Sequence, residues 1–176
     1  MRKIILGIVI VVFAVSATFL IFGMITKVQK KRQIAEKIKT LPSFSFITLT
    51  NESFNSSEII KGPVLVVRFH PECEHCQYEI SEILKSKIPV SGIRVIMVSS
   101  ADTGSIINLL SPFNLSEYPS ITTLVDTSYI FEDIFGSDII PSNYIYDKEL
   151  NLVKVLYGEV KTETIIKYLY GSEQDK

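Results

Sequence analysis

The chain has 176 residues, a formal net charge of −1 and 47% hydrophobic residues, enough for one domain with a proper core and a further segment beyond it. The near-neutral total conceals an asymmetry: residues 1–41 carry 8 Lys/Arg against one Glu, which leaves 10 against 18 acids, a charge of −8, in residues 42–176. An acidic folded part with no basic–aromatic stripe outside the N-terminal flank argues against a nucleic-acid partner.

Met1-Arg2-Lys3 precedes an uncharged run from Ile4 to Ile25, about 22 residues and roughly 33 Å as a helix, the length of a bilayer crossing. Val15-Ser16-Ala17 imitates a signal-cleavage site, but Thr18-Phe19-Leu20-Ile21-Phe22 carries the run well past it. No cysteine follows the run, which excludes a lipoprotein anchor. The expectation is an uncleaved single-pass anchor over 1–25, touching membrane lipid through residues 4–25. Residues 26–41 form a basic linker, with Ile34 and Ile38 at helical spacing. Lys27, Lys30, Lys31 and Arg32 outweigh Arg2 and Lys3, which on the positive-inside rule places the following domain in the cytoplasm. A paired-cysteine site behind an anchor points the other way.

Pro42 opens the folded domain, expected over 42–172, with a tail at 173–176. Phe44 to Leu49 reads as a strand, Asn51-Glu52-Ser53 as a turn, and Ser56 or Ser57 as the cap of a short helix through Glu58-Ile59-Ile60. Lys61-Gly62-Pro63 ends that helix and launches Val64-Leu65-Val66-Val67-Arg68-Phe69, an apolar, β-branched run typical of a buried strand. Next stands Cys73-Glu74-His75-Cys76, holding both cysteines of the chain and one of its two histidines. Ile80, Ile83, Leu84 and Ile88 then recur on one helical face, with Pro89 closing it. Gly92 to Ser99 is a second buried-type strand, and Asp102 or Thr103 caps a helix through Ile106, Ile107, Leu109 and Leu110. This β-α-β order predicts parallel pairing. Ser111 to Asp138, with Pro112, Pro119 and a base-free acidic run from Asp126, reads as loop with one short helix near Tyr129 to Phe135. Ser142–Tyr146 and Leu152–Tyr157 read as an antiparallel hairpin across the turn Asp147-Lys148-Glu149-Leu150-Asn151, before a last helix opened by Thr162.

Two cysteines at i and i+3 at a helix start are neighbours, and the helix N-terminus favours a thiolate. Cys73, nearer solvent, is the candidate attacking thiolate, and Cys76, one turn in, the candidate resolving thiol. A structural disulfide is a second reading, though closing a four-residue loop restrains the unfolded chain little. A zinc site is a third; it needs four ligands and could recruit only His70 and His75, which interleave with the cysteines too tightly for a tetrahedron. No metal and no cofactor is therefore expected. His75, between the cysteines, can favour the Cys73 thiolate by charge or hydrogen bond, while Glu72 and Glu74 oppose it. Glu79 sits on the flank of the apolar stripe: partly buried it could exchange a proton with Cys76, exposed it is an ordinary helix carboxylate. His70, before Pro71, suits local packing or bonding better than chemistry.

The order strand, Cys-x-x-Cys helix, strand, helix, proline-led hairpin, helix resembles the thioredoxin fold. With the anchor, the chain resembles the membrane-tethered TlpA/ResA-type thiol–disulfide oxidoreductases over roughly residues 44–171. The resemblance rests on Cys73-Glu74-His75-Cys76, on Glu79 three residues beyond, and on Ile140-Pro141-Ser142-Asn143-Tyr144-Ile145-Tyr146-Asp147, which is similar to the family's segment around a cis-proline. It implies an α/β, thioredoxin-like fold with a central mixed sheet flanked by helices behind a transmembrane helix. It implies an enzyme, a protein thiol–disulfide oxidoreductase with a redox-active Cys73–Cys76 disulfide. Its partners would be protein thiol or disulfide substrates and a redox protein. The soluble domain would lie on the extracytoplasmic side of a bacterial cytoplasmic membrane. On the same resemblance Pro141 is cis and Ile140 pairs with an extended substrate segment. Two departures stand out: Glu72 occupies the place before the first cysteine where the family commonly has Trp, and Val66 and Val67 stand where thioredoxin has a buried Asp. A non-catalytic binding or assembly module, for metal delivery or as a membrane-complex subunit, is the alternative; copper-delivery relatives use a distal His, and none follows His75. A peroxiredoxin-type peroxidase would need Thr-x-x-Cys, where this chain has His70.

Overall fold

The computed structural model describes residues 2–60, 62–90 and 92–171; the tail expected at 173–176 lies outside them. The chain divides into two units, Met1–Glu36 and Lys37–Lys176. Nearly all of the first is one helix, α1 (Arg2–Lys37), whose C-terminal end passes just into the second. The second unit runs β1 (Ser45–Thr48), β2 (Ser53–Asn55), β3 (Val64–Arg68), α2 (Glu74–Lys85), β4 (Arg94–Ser99), α3 (Thr103–Leu110), β5 (Ile121–Val125), α4 (Phe131–Phe135), β6 (Ser142–Tyr146), β7 (Leu152–Tyr157) and α5 (Thr162–Gly171).

One mixed sheet takes the order β2-β1-β5-β4-β3-β6-β7. Parallel pairing joins β3 to β4 and β4 to β5, across the α2 and α3 crossovers that parallel strands require. The β6–β7 hairpin then runs antiparallel along the other side of β3, with Arg68 opposite Ser142. Because side chains alternate across a strand, Leu65 and Val67 face one layer and Val64 and Val66 the other. On the first face Leu65, Val67, Val95 and Met97 pack with Ile80, Ile83 and Leu84 of α2, Ile106 and Leu110 of α3, and Ile165 and Leu169 of α5. On the second, Phe131 and Phe135 of α4 stack at 4.4 Å between centroids and meet Phe44, Phe46 and Tyr144. Burial on both faces explains why residues 64–67 of β3 are continuously apolar instead of alternating.

Four local expectations change. The helix expected to run through Ile88 to Pro89 stops at Lys85, where the Ser86 N–H donates to the Ile83 carbonyl, and Ile88 falls in a separate 3₁₀ turn, Ile88–Val90. Ile121-Thr-Thr-Leu-Val125, inside the stretch read as loop, is the parallel strand β5; pairing with β4 along its whole length overrides the flanking Pro119 and the acids after it. Ser53–Asn55 is a short strand folded back on β1. Beyond it the expected short helix shrinks to a single 3₁₀ turn, Ser56–Glu58, in which the Asn55 N–H donates to Glu58 Oε1 at 2.7 Å. The membrane-spanning helix expected over 4–25 is not found: among the described residues no helix is long and apolar enough to cross a membrane. The side chains of residues 1–12 and 14 lie outside those described, and α1 continues beyond the apolar run into Lys27, Lys30, Lys31 and Arg32.

Candidate active site

At the end of β3 the chain leaves the sheet through Phe69 and a turn closed by the Cys73 N–H donating to the His70 carbonyl at 3.1 Å. His70 Nδ1 also accepts from the Glu72 N–H at 3.3 Å, so this ring serves the turn, as its place before Pro71 suggested. Gln77 Nε2 donates to the Pro71 carbonyl at 2.6 Å and ties the turn to the first coil of α2. Cys73 is the N-cap: its backbone is extended (φ −86°, ψ 110°) and its Sγ accepts the Cys76 N–H at 3.2 Å. A sulfur at an N-cap receives an otherwise orphan helix donor, an arrangement that stabilises negative charge on that sulfur.

The two thiols are chemically unequal. Cys73 is half-buried, whereas Cys76 is wholly buried. Burial first, then the Cys73 sulfur beside it, push the Cys76 thiol up to about 12 against the opposing His70 backbone, with Glu79 adding least. Cys76 therefore needs a proton acceptor before it can attack.

Glu79, on α2 beyond Cys76, is 1% exposed. Its Oε1 accepts from Asn143 Nδ2 at 2.9 Å and its Oε2 from the Val160 N–H at 2.7 Å. Burial raises its carboxyl above the ordinary range, and these two bonds, which favour the carboxylate, partly oppose the shift. Of the two readings of Glu79, the buried one describes its position. Asn143 Oδ1 is buried with no hydrogen-bond partner. An amide turned round would offer that oxygen to a protonated Glu79, so the pair can accommodate either charge state.

His75 points outward, its side chain 74% exposed, and its Nδ1 lies 2.6 Å from Oε2 of Glu159, in the loop between β7 and α5. Glu72 and Glu74 are solvated surface acids. The Ile140–Pro141 bond is cis, Ile140 is 37% exposed and Pro141 is buried. The Arg68–Ser142 register sets this segment beside the strand end that leads to Cys73, and the Gly158 N–H donates to the Pro141 carbonyl at 2.9 Å. Among the described residues, no three His, Cys, Asp or Glu side chains converge as metal ligands.

Sequence reasoning missed three contacts of the site: Asn143, Glu159 and Val160 meet α2 from the far end of the chain. Arg68, at the end of β3, instead serves the aromatic layer: its Nη2 donates to Ser100 Oγ at 2.8 Å, its Cζ lies 5.0 Å over the Phe131 ring, and burial lowers its pKa against the pull of Asp126. A cavity of about 530 Å³ opens beside the site, lined by Tyr78, Glu82, Glu159, Val160, Lys161 and Thr162 among others.

No protein-family model matches the chain, and no curated protein matches its sequence. Solved structures do resemble it. A secreted disulfide oxidoreductase of Mycobacterium tuberculosis superposes with a TM-score of 0.64 at 15% identity, over 77% of this chain and 98% of that one. The exposed lipoprotein thioredoxin of Streptococcus pneumoniae gives 0.59 at 19%, over 73% and 98%. A thiol peroxidase of Chromobacterium violaceum gives 0.63 at 15%, over 80% and 89%. At such identities the likeness establishes the fold: this is a thioredoxin-like α/β domain with a central mixed sheet and flanking helices. Which chemistry the fold carries here is a question for its cysteine site.

Proposed function

We propose that the protein is a thiol–disulfide oxidoreductase of the TlpA/ResA type, acting on protein substrates through Cys73 and Cys76. The observation that carries this reading is the pair's asymmetry: Cys73 Sγ caps a helix and accepts the Cys76 N–H, while Cys76 is buried behind it beside a buried carboxyl. In the reducing direction the Cys73 thiolate attacks a substrate disulfide, forming a mixed disulfide and releasing one substrate thiolate, which takes up a proton. Cys76 then gives its proton to Glu79 and attacks Cys73 Sγ. The mixed disulfide breaks, the second substrate thiol leaves, and the Cys73–Cys76 disulfide holds the two-electron oxidation. Run backwards, the same steps oxidise a substrate dithiol. A redox partner protein restores the starting state. Ile140, exposed beside Pro141, is the proposed contact for an extended substrate segment. The test is capture: Cys76→Ser accumulates a mixed disulfide with the physiological partner, visible as a reductant-sensitive adduct. An adduct that forms equally well in Cys73→Ser would remove the proposal.

We further propose that residues 4–25 anchor the domain (42–172) to a bacterial cytoplasmic membrane through a basic linker at 26–41. Phe13, Phe19, Leu20, Phe22 and Met24 are exposed apolar side chains, and Ser16 and Thr18 hydroxyls donate to the Phe13 and Val15 carbonyls of their own helix. Internal satisfaction of polar groups is what a hydrocarbon surrounding demands. The domain faces the extracytoplasmic side, the side of the secreted and exposed proteins that share its fold. In intact cells, after mild reduction, a membrane-impermeant maleimide then labels Cys73. Labelling that appears only after lysis reverses this orientation, in agreement with the flanking lysines.

A further inference from the structure

His75 and Glu79 lie four residues apart and so share one face of α2. Two consecutive residues of the β7–α5 loop engage them: Glu159 through its carboxylate on His75 Nδ1 at 2.6 Å, and Val160 through its N–H on Glu79 Oε2 at 2.7 Å. This strap is held independently of the Glu159 side chain. Gly158, at φ +75°, turns the chain out of β7 with a geometry that suits glycine, and its N–H donates to the Pro141 carbonyl at 2.9 Å. On the other side the Thr164 N–H donates to the Lys161 carbonyl at 2.9 Å as α5 begins. A backbone tied at Gly158 to Pro141 and at Val160 to Glu79 thus presents one carboxylate to the only side chain between the cysteines that can carry a positive charge.

We infer that Glu159 is a positioning residue that lowers the reduction potential of the Cys73–Cys76 couple by compensating the charge of His75 and holding its ring. This rests on the redox reading of the cysteines and adds to it what sets the direction of electron flow. Negative charge held against the ring between the two cysteines disfavours the Cys73 thiolate, and with it the reduced form, and taking that charge away makes the disulfide the stronger oxidant. Glu159 sets its carboxylate 2.6 Å from Nδ1, where it offsets any positive charge the ring carries. The pair shifts the couple towards electron donation. Both partners reach solvent, with side chains 74% and 36% exposed, so screening keeps the effect moderate.

Glu159→Gln separates charge from tether, because a glutamine oxygen still accepts a hydrogen bond from the imidazole N–H. The full-length protein is equilibrated with graded glutathione redox buffers, and its dithiol and disulfide forms are counted after alkylation. Glu159→Gln is expected to shift the equilibrium about fivefold towards the dithiol, roughly 20 mV at about 30 mV per tenfold. In a His75→Ala background the same substitution is expected to change nothing. An unchanged potential, a shift towards the disulfide, or an equal shift without His75 (the route through Glu79) each overturns the inference. If the parent forms no Cys73–Cys76 couple with glutathione, the redox reading itself fails, a result distinct from any of these.

Discussion

Cys73→Ser is expected to lower disulfide exchange by roughly three orders of magnitude or more, the scale seen when a covalent nucleophile is removed. The reason lies in what the serine oxygen inherits. It would still cap α2 and accept the Cys76 N–H, so the fold and the helix start survive. A hydroxyl does not ionise at neutral pH, however, and exchange proceeds only through a thiolate. Cys76 cannot take over, because it is wholly buried and its thiol is pushed up to about 12. Insulin reduction with dithiothreitol as donor, followed beside an unchanged thermal unfolding curve, checks both halves of this expectation. Residual activity above a tenth of the parent would mean that Cys76 reaches substrates directly, and the division of labour between the two sulfurs would have to be abandoned.

How much of this was legible beforehand depended on distance along the chain. Val64 to Arg68 announced itself as a buried strand because both of its faces are covered, and Ile80, Ile83 and Leu84 announced α2 because only one face is. The cysteine pair is local, four residues at one helix start. β5 was hidden because its signal, Ile121-Thr-Thr-Leu-Val125, is five residues between a proline and a run of acids, and its strand character comes from pairing with β4. The groups that contact Glu79 and His75 were beyond reach for a related reason. Asn143, Val160 and Glu159 meet Glu79, Glu79 and His75 across 64, 81 and 84 residues of chain, and no periodicity encodes such meetings. Asn143 did carry a faint mark, as an amide between Ser142 and the apolar and aromatic run Tyr144-Ile145-Tyr146. Sequence patterning thus reports which face a residue turns to the core, while the partners of a buried polar group follow from topology.

That dependence on distant partners makes Glu79 the sharper test of mechanism. Burial raises its carboxyl, so the folded protein binds this proton more tightly than the unfolded chain, whose glutamates titrate near about 4.3. With more protons bound in the native state, stability falls as pH rises. The contribution is fully present below the unfolded value and is lost as pH climbs through the raised folded value. Glu79→Gln is expected to flatten this slope in denaturant unfolding measured from pH 4 upward. The variant should fold, since Asn143, its amide turned round, offers the unpartnered Oδ1 to the new amide N–H while the Gln oxygen keeps the Val160 N–H. Glu79→Leu instead strands both donors and should cost about 1–3 kcal/mol for each. Catalytically, Glu79→Gln removes the buried carboxylate that, among the described residues, acts on Cys76, whose thiol in the proposed cycle loses its proton to resolve the mixed disulfide. Single-turnover resolution should slow about 100-fold near neutral pH, at the lower end of general acid–base contributions, and recover as pH approaches the range where Cys76 ionises unaided. Attack by Cys73 on the substrate, the preceding step, should keep its rate. A variant that resolves as fast as the parent while losing the stability slope would leave Glu79 a buried acid without a catalytic part, and the proton from Cys76 would have to leave by water in the adjoining cavity.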